Sequence, residues 1–315
     1  MKHLPPLLMT VILGISLASG VSGRPAEGDT GTNADPLDTD LKIGLALGAG
    51  GANGLAHIAI LEAFEELGIT PHRMAGSSIG AVMGALYASG KSAKDIKKLV
   101  EDVVVQESDT WRELLFDGQL FSWFRFAEPE LGEGGLINTD EFIAYLRDAI
   151  EGSRFEDLQI PLLVVTADLW SREQIVFDAG DLLPVVQASI AVPGLFKPVQ
   201  INGRVLVDGG IVNPVPYDLL FEDCDVVVAV NVIGKSIPEE DLSLFKSMFA
   251  AIRVMQTSIL KEKMKQRAPD IYIETRIEGV RLLEFNKIDE VHEQAQRAKE
   301  DLKAELRAII KEKGR

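Results

Sequence analysis

The tightest constraint in this chain is a change of backbone direction written into Gly76-Ser77-Ser78-Ile79-Gly80. A short strand-like run, His72 to Ala75, enters it, and a helix-like run, Ala81 to Leu86, leaves it. A strand passing directly into a helix needs a sharp turn, and flanking glycines remove the Cβ atoms that would collide there. Such a turn holds Ser78 at a helix N-terminus, where aligned peptide dipoles favour developing negative charge. Taken alone the pentapeptide is equally an ordinary Gly/Ser turn, because both residues are common in turns.

A second turn stands upstream. The apolar run Ile43 to Leu47 reads as a buried strand, Leu55 to Leu67 as the following helix, and Gly48-Ala49-Gly50-Gly51-Ala52-Asn53-Gly54 as the loop between them. A glycine-rich strand-to-helix turn exposes backbone N–H groups, which bind a phosphate or stabilise an oxyanion. A dinucleotide site is the competing reading, since Gly48-x-Gly50 opens a βα unit. That fingerprint needs an acidic residue at the end of the next strand. Here that strand ends in Ala75-Gly76-Ser77-Ser78, with no acid.

A third segment is Val205-Leu206-Val207-Asp208-Gly209-Gly210, preceded by Ala188-Ser189-Ile190-Ala191-Val192-Pro193-Gly194-Leu195-Phe196-Lys197-Pro198-Val199. A lone Asp-Gly-Gly is usually a turn. Together with the elbow serine and the upstream glycine loop, in this order, it resembles the patatin-like phospholipase family. The resemblance runs from about Lys42 to about Ile233, and Asp270 to Phe285 with the final helix resembles bacterial members. It implies an α/β fold: a three-layer α/β/α sandwich around a mixed, mainly parallel sheet, with a helical insertion and a C-terminal helix.

The resemblance also implies a Ser-Asp dyad, with Ser78 as nucleophile and Asp208 as general base. Gly50 and Gly51 would supply oxyanion N–H groups, with a further one near Ile79, and Gly48, Asn53, Gly54, Gly76, Gly80, Gly209 and Gly210 would support these motifs. Asp208 would take the Ser78 proton directly, and partial burial would raise its basicity. The chain itself offers little to a Ser-His-Asp alternative, which needs its histidine last in order. Of four histidines only His292 follows Asp208, on a charged terminal helix where a solvated role is expected. No metal-ligand spacing is evident, and no cofactor is expected. The implied activity is metal-independent hydrolysis of phospholipid or lysophospholipid acyl esters. A catalytically weak lipid-binding protein of the same fold, or an acyltransferase, is the alternative.

Two positions depart from the family pattern, whose loop usually reads Gly-Gly-Gly-x-Arg or Lys-Gly. Ala49 is a small change unless that position needs a positive φ. Asn53 is a larger one: it removes a cation that could bind a lipid phosphate or brace the loop, and asparagine does neither through charge.

The remaining chain sets the organisation. Residues 1–23 read as a secretory signal peptide, with Leu7 to Ala18 as its apolar run, or alternatively as an uncleaved anchor. Residues 24–40 read as a disordered linker, 41–235 as the catalytic domain with an insertion at 91–154, and 236–315 as a C-terminal extension packing on the core. The single cysteine, Cys224, excludes an intrachain disulfide, which suits an exported bacterial chain, periplasmic or secreted. Strands are expected over Ile160 to Asp168, Gln174 to Phe177, Arg204 to Val207 and Cys224 to Val232, with Asp168 to Glu173 as a hairpin turn. The aromatic middle of the insertion, Trp111 to Phe126, reads as part of a helical subdomain, or else as a cap or a surface for transient membrane contact. Leu244, Phe245, Met248, Phe249, Ile252, Met255 and Ile259 read as a core-facing helical stripe, and Lys261 to Arg267 as its solvated end. A net charge of −16 argues against nucleic acid as a partner.

Overall fold

A computed structural model describes residues 37, 39–106, 139–150, 152–234 and 244–314. The expected signal peptide, nearly all of the linker and the aromatic middle of the insertion lie outside these residues. Eight strands form one sheet: β1 (Ile43–Leu47), β2 (Arg73–Ser77), β3 (Leu162–Asp168), β4 (Gln174–Phe177), β5 (Val199–Ile201), β6 (Arg204–Asp208), β7 (Val226–Asn231) and β8 (Ile271–Glu274). Seven helices are described: α1 (His57–Glu66), α2 (Ile79–Ala88), α3 (Ala93–Gln106), α4 (Asp140–Ala149), α5 (Leu182–Ser189), α6 (Leu244–Gln266) and α7 (Ile288–Lys313).

The strand order is β5-β6-β3-β2-β1-β7-β8, with β4 paired to β3 off this path. β1 to β3 pair in parallel, as do β1 with β7 and β7 with β8, whereas β3 with β4, β3 with β6 and β5 with β6 are antiparallel. The sheet is therefore mixed and mainly parallel, as the Asp168 to Glu173 hairpin leads one to expect. β1 is flanked by β2 on one side and β7 on the other. A crevice opens at such a reversal of strand order, outside the carboxyl ends of the strands.

Side-chain alternation divides the core between the two sheet faces. Ile43, Leu45, Leu47, Met74, Val164, Val228 and Val230 point one way, against α1, α2, α5 and α7. Ala46, Ala75, Leu163, Val227 and Ala229 point the other way, beneath Val215, Tyr217 and Leu260 of α6. The strands read as near-continuous apolar runs because both faces are covered.

β8 extends this sheet and α7 lies along α1, so the C-terminal region is built into the domain. Val291, Ala295, Leu302 and Leu306 of α7 are fully buried. Beside them Lys299 reaches Glu62 at 2.9 Å and Glu66 at 2.5 Å, and Lys303 reaches Glu66 at 2.7 Å. His292 is half-buried, with Nε2 2.9 Å from Glu62 Oε1, which corrects the expectation that it is solvated. The helix packs on α1, and that places His292 in the seam between them.

α6 corrects one expectation and part of another. Its stripe is not core: Met248, Phe249, Ile252 and Ile259 are half-buried, Met255 is 48 % exposed and its neighbour Val254 69 %. Among the described side chains of the helix only Gln256 and Leu260 are buried, because α6 touches the molecule through one narrow line of side chains. Lys261 to Arg267 is exposed as expected at five of its seven residues and departs from that at Lys263 and Met264, which are half-buried. Lys263 Nζ lies 2.5 Å from Asn213 Oδ1 and 2.8 Å from the Val215 carbonyl, and also bonds Asp218, while Arg267 stacks on Phe221.

Truncating Leu302 to alanine removes a buried anchor of α7 and should cost about 2–5 kcal/mol. Urea denaturation checks this against Arg307→Ala on the exposed face of the same helix, expected within about 0.5 kcal/mol of the parent.

Candidate active site

Strand pairing brings the two singled-out side chains together. A strand has two edges, and β4 takes one edge of β3 over Val164 to Ala167. β2 and β6 must therefore share the other edge. β2 pairs with it up to Ser77 opposite Val165, running parallel, and β6 pairs from Asp208 opposite Thr166, running antiparallel. Two strands thus approach each other head-on along one edge, and the chain must leave the sheet at both ends where they meet. Ser78 is the residue that leaves from β2, and Asp208 is the last residue of β6.

Their side chains bond directly: Ser78 Oγ–H donates to Asp208 Oδ2 at 2.6 Å. The other carboxylate oxygen, Oδ1, accepts from the Gly210 N–H at 2.6 Å, which fixes the plane of the carboxylate. Both residues are buried, Ser78 8 % and Asp208 3 % exposed. Burial pushes the Asp208 carboxyl up to about 6, against the pull of its bonds from Ser78 and Gly210. Desolvation is the larger effect because no cation stands beside the carboxylate to favour its charge.

Ser78 has φ 55° and ψ −126°, outside the ordinary regions for a residue with a Cβ. Strain of this kind costs about 1–3 kcal/mol and persists only where its surroundings over-determine it. Here the Ser78 N–H donates to Ser189 Oγ at 3.0 Å, and Ser189 Oγ–H donates to the Val165 carbonyl at 2.7 Å. Ser189, at the C-terminal end of α5, thereby ties the elbow to β3. Close packing completes the turn. A Cβ on Gly76 would lie 2.5 Å from the Gly80 carbonyl oxygen, one on Gly80 2.1 Å from that of Leu47, and one on Gly209 2.1 Å from that of Val165.

The glycine loop lies against both halves of this pair. A Cβ on Gly54 would strike Ile79 at 2.3 Å, and one on Gly210 would meet the Ala49 Cβ at 2.8 Å. The loop is pinned where Gly48 N–H donates to the Val230 carbonyl at 3.1 Å, Ala49 N–H to Pro214 at 2.8 Å and Ala52 N–H to Leu282 at 2.8 Å. Between these anchors no hydrogen bond among the described residues takes the Gly50 or Gly51 N–H. Both amides stand at the start of the 3-10 turn Gly51–Ala56, where a helix has no acceptor for its own donors. Gly51 holds φ at 59°, the left-handed region that glycine enters at no steric cost.

The two departures are both accommodated. Ala49 is buried against Gly210. Asn53 is buried as well, with Nδ2 3.4 Å from the Ile233 carbonyl and Oδ1 without a partner among the described residues. It braces the loop as a neutral amide and not through charge.

Among the described residues no histidine is bonded to Ser78. His57 is fully buried, its Nε2 2.9 Å from the Gly48 carbonyl oxygen, and burial lowers its pKa to about 4, so it is neutral and donates to that oxygen. His292 lies in the α1–α7 seam.

Sequence reasoning missed two residues of the site wall. Ser189 stood inside a quoted stretch but gave no signal of its own. Gln256 of α6 is buried with Nε2 2.9 Å from where a Gly210 Cβ would stand, beside Asp208 Oδ1. Its one signal was a polar residue within an apolar stripe.

A serine on a strained strand-to-helix turn, bonded to a buried carboxylate beside free loop amides, defines the class of α/β proteins with a nucleophile elbow. The family profile described as patatin-like phospholipase matches residues 45–221, and the chain belongs to that family. An uncharacterised NTE family protein of Mycobacterium bovis is 32 % identical over 194 residues, 61 % of this chain and 49 % of that protein. Lysophospholipase NTE1 of Candida glabrata is 26 % identical over 275 residues, 79 % of this chain but 15 % of that protein. The chain thus spans about half or less of these relatives' lengths. Among solved structures, VipD from Legionella pneumophila gives a TM-score of 0.42 at 17 % identity, covering 82 % of this chain and 66 % of VipD.

Ser189→Ala removes the acceptor of the Ser78 N–H and leaves the Val165 carbonyl unsatisfied. It should destabilise the fold by about 1–3 kcal/mol, measured by urea denaturation.

Proposed function

We propose that this protein is a metal-independent serine acyl-ester hydrolase acting on phospholipid or lysophospholipid esters. The observation that carries the reading is the 2.6 Å bond from Ser78 Oγ to a buried Asp208 carboxylate in a chain of this family. Asp208 Oδ2 takes the hydroxyl proton as Ser78 Oγ attacks the ester carbonyl carbon. The carbonyl oxygen then carries the negative charge, and the Gly50 and Gly51 amides, with that of Ile79 at the head of α2, are its donors. Losing one such donor typically costs about 10²–10³ in rate. The tetrahedral species collapses, and the alcohol leaves with the proton from Asp208. Water then attacks the acyl-enzyme, gives its proton to Asp208 and releases the fatty acid and free Ser78.

A pKa of about 6 suits this work: the carboxylate is ionised at neutral pH yet basic enough to accept a proton. The Candida relative is named a lysophospholipase, and that favours a lipid ester over other acyl substrates.

Fatty-acid release from lysophosphatidylcholine micelles, with a chelator present, should be lost in Ser78→Ala. Release by a folded parent that persists unchanged in this variant would sink the reading, and no release by either would favour a binding protein or an acyltransferase. In the parent, kcat/KM should climb with pH through about 6 and then level off, as Asp208 loses its proton.

The same shift has a stability consequence. The folded state holds the Asp208 proton more tightly than the unfolded chain does. Stability from this group is therefore present at low pH and is lost as pH rises from about 4 to about 6. Asp208→Asn keeps the size without the charge: its amide oxygen still accepts from the Gly210 N–H, and its NH2 donates to Ser78 Oγ where the carboxylate accepted. It should be inactive, yet melt at a higher temperature than the parent at pH 8, with the difference fading towards pH 4. Thermal melts across that range check it.

A further inference from the structure

α6 holds a cation that no described residue answers. Arg253 is half-buried, and among the described residues it has no hydrogen bond, ion pair or ring contact. Burial alone acts on its guanidinium and lowers its pKa. Other half-buried cations are served: Lys263 by Asn213, Val215 and Asp218, Lys299 by Glu62 and Glu66, and Arg73 by Asp178 and Asp223. In a chain with 48 acidic and 32 basic side chains, an acidic partner would be easy to supply. A partly buried cation with no anion beside it, its guanidinium nitrogens still open to solvent, is placed to take an anion from outside.

Its position says which partner. Met248 Cε lies 2.7 Å from where a Gly194 Cβ would stand, and Gln256 Nε2 lies 2.9 Å from the corresponding point on Gly210. Gly194 follows Ala191, whose carbonyl accepts the Asp208 N–H at 3.0 Å, and Gly210 donates to Asp208 Oδ1. α6 therefore lies against the segments on either side of Asp208. Arg253 is one turn before Gln256, and residues three apart share a helix face. Asn53, where the family pattern has a cation, is neutral and turned into the Ile233 carbonyl.

We propose that Arg253 is a specificity-determining residue whose guanidinium binds the phosphate of the substrate's head group. The inference rests on the hydrolase reading and adds to it the residue that selects a phosphate-bearing ester over a neutral one. A guanidinium offers a planar pair of donors to phosphate oxygens, whereas the rim of a neutral glyceride offers it nothing of opposite charge.

The test compares the full-length parent, Ser78→Ala, Arg253→Met and Arg253→Gln. Each is assayed on lysophosphatidylcholine and on the monoacylglycerol of the same acyl chain, in identical detergent micelles. The ratio of kcat/KM for the phosphate-bearing over the neutral ester should fall by about tenfold or more in both Arg253 variants, mainly through KM. Arg253→Gln carries the comparison if Arg253→Met loses its cooperative melt. An equal loss on both esters, or no change in the ratio, overturns the inference while leaving the hydrolase intact. Equal release by the parent and Ser78→Ala overturns the hydrolase reading and this inference with it. Glycerophosphocholine and inorganic phosphate separate head group from free ion. Competition by glycerophosphocholine, weakened in the Arg253 variants, supports the inference. An Arg253-dependent effect of inorganic phosphate on monoacylglycerol hydrolysis assigns a free-ion site instead and overturns it.

Discussion

Everything at the site depends on two strands sharing one edge of β3. β2 and β6 run towards each other along that edge and cannot both continue, so each ends where the other begins. The junction lies at Val165 and Thr166, and the residues that emerge there are Ser78 and Asp208. Neither backbone direction nor hydrogen-bond register could shift by one residue without separating them, because a one-residue slip turns every side chain to the opposite face. The strain at Ser78 is the local consequence. It is held by bonds at either end, from its own N–H to Ser189 and from its Oγ to Asp208.

Burial at that junction serves two ends that conflict. It keeps water from the carboxylate and so raises its basicity, and the same desolvation makes the ionised folded state less stable. Such opposition between stability and activity is common where a site holds a charge without a counter-ion. The surrounding framework meets the cost with ordinary means: a two-faced apolar sheet, and a terminal helix locked to α1 by leucines and by a lysine–glutamate network.

α6 is made differently from the rest. α7 buries a broad apolar face, whereas α6 touches the site through Met248, Gln256, Leu260 and Lys263 and leaves Val254 and Met255 in solvent. A helix held by a line of contacts over a crevice covers it without adding much to the core. That placement sets the Gln256 amide beside Gly210 and Asp208 Oδ1.

Much of this was legible in the sequence. β1 and β4 fall on their expected bounds, the elbow, the glycine loop and Asp-Gly-Gly were each recognisable from residue types that turns require, and the apolar run Ile43 to Leu47 read as a buried strand. These are local properties, set by Cβ sterics, apolar periodicity and glycine backbone freedom within a few residues. What the sequence could not show was contact between distant segments. The 2.6 Å bond between residues 78 and 208, the tie through Ser189, the seating of His292 against Glu62 and of Lys263 against Asn213, and the bracing of Asn53 on Ile233 all join segments far apart in the chain. The core reading of α6 failed for the same reason: helical periodicity identifies an apolar face but not how closely another element approaches it. The chain by itself determined which turns could be built and which residues could do chemistry in them. Only the tertiary structure decided that two of those turns end on one edge of β3, because strand order and register are set by packing across the whole sheet.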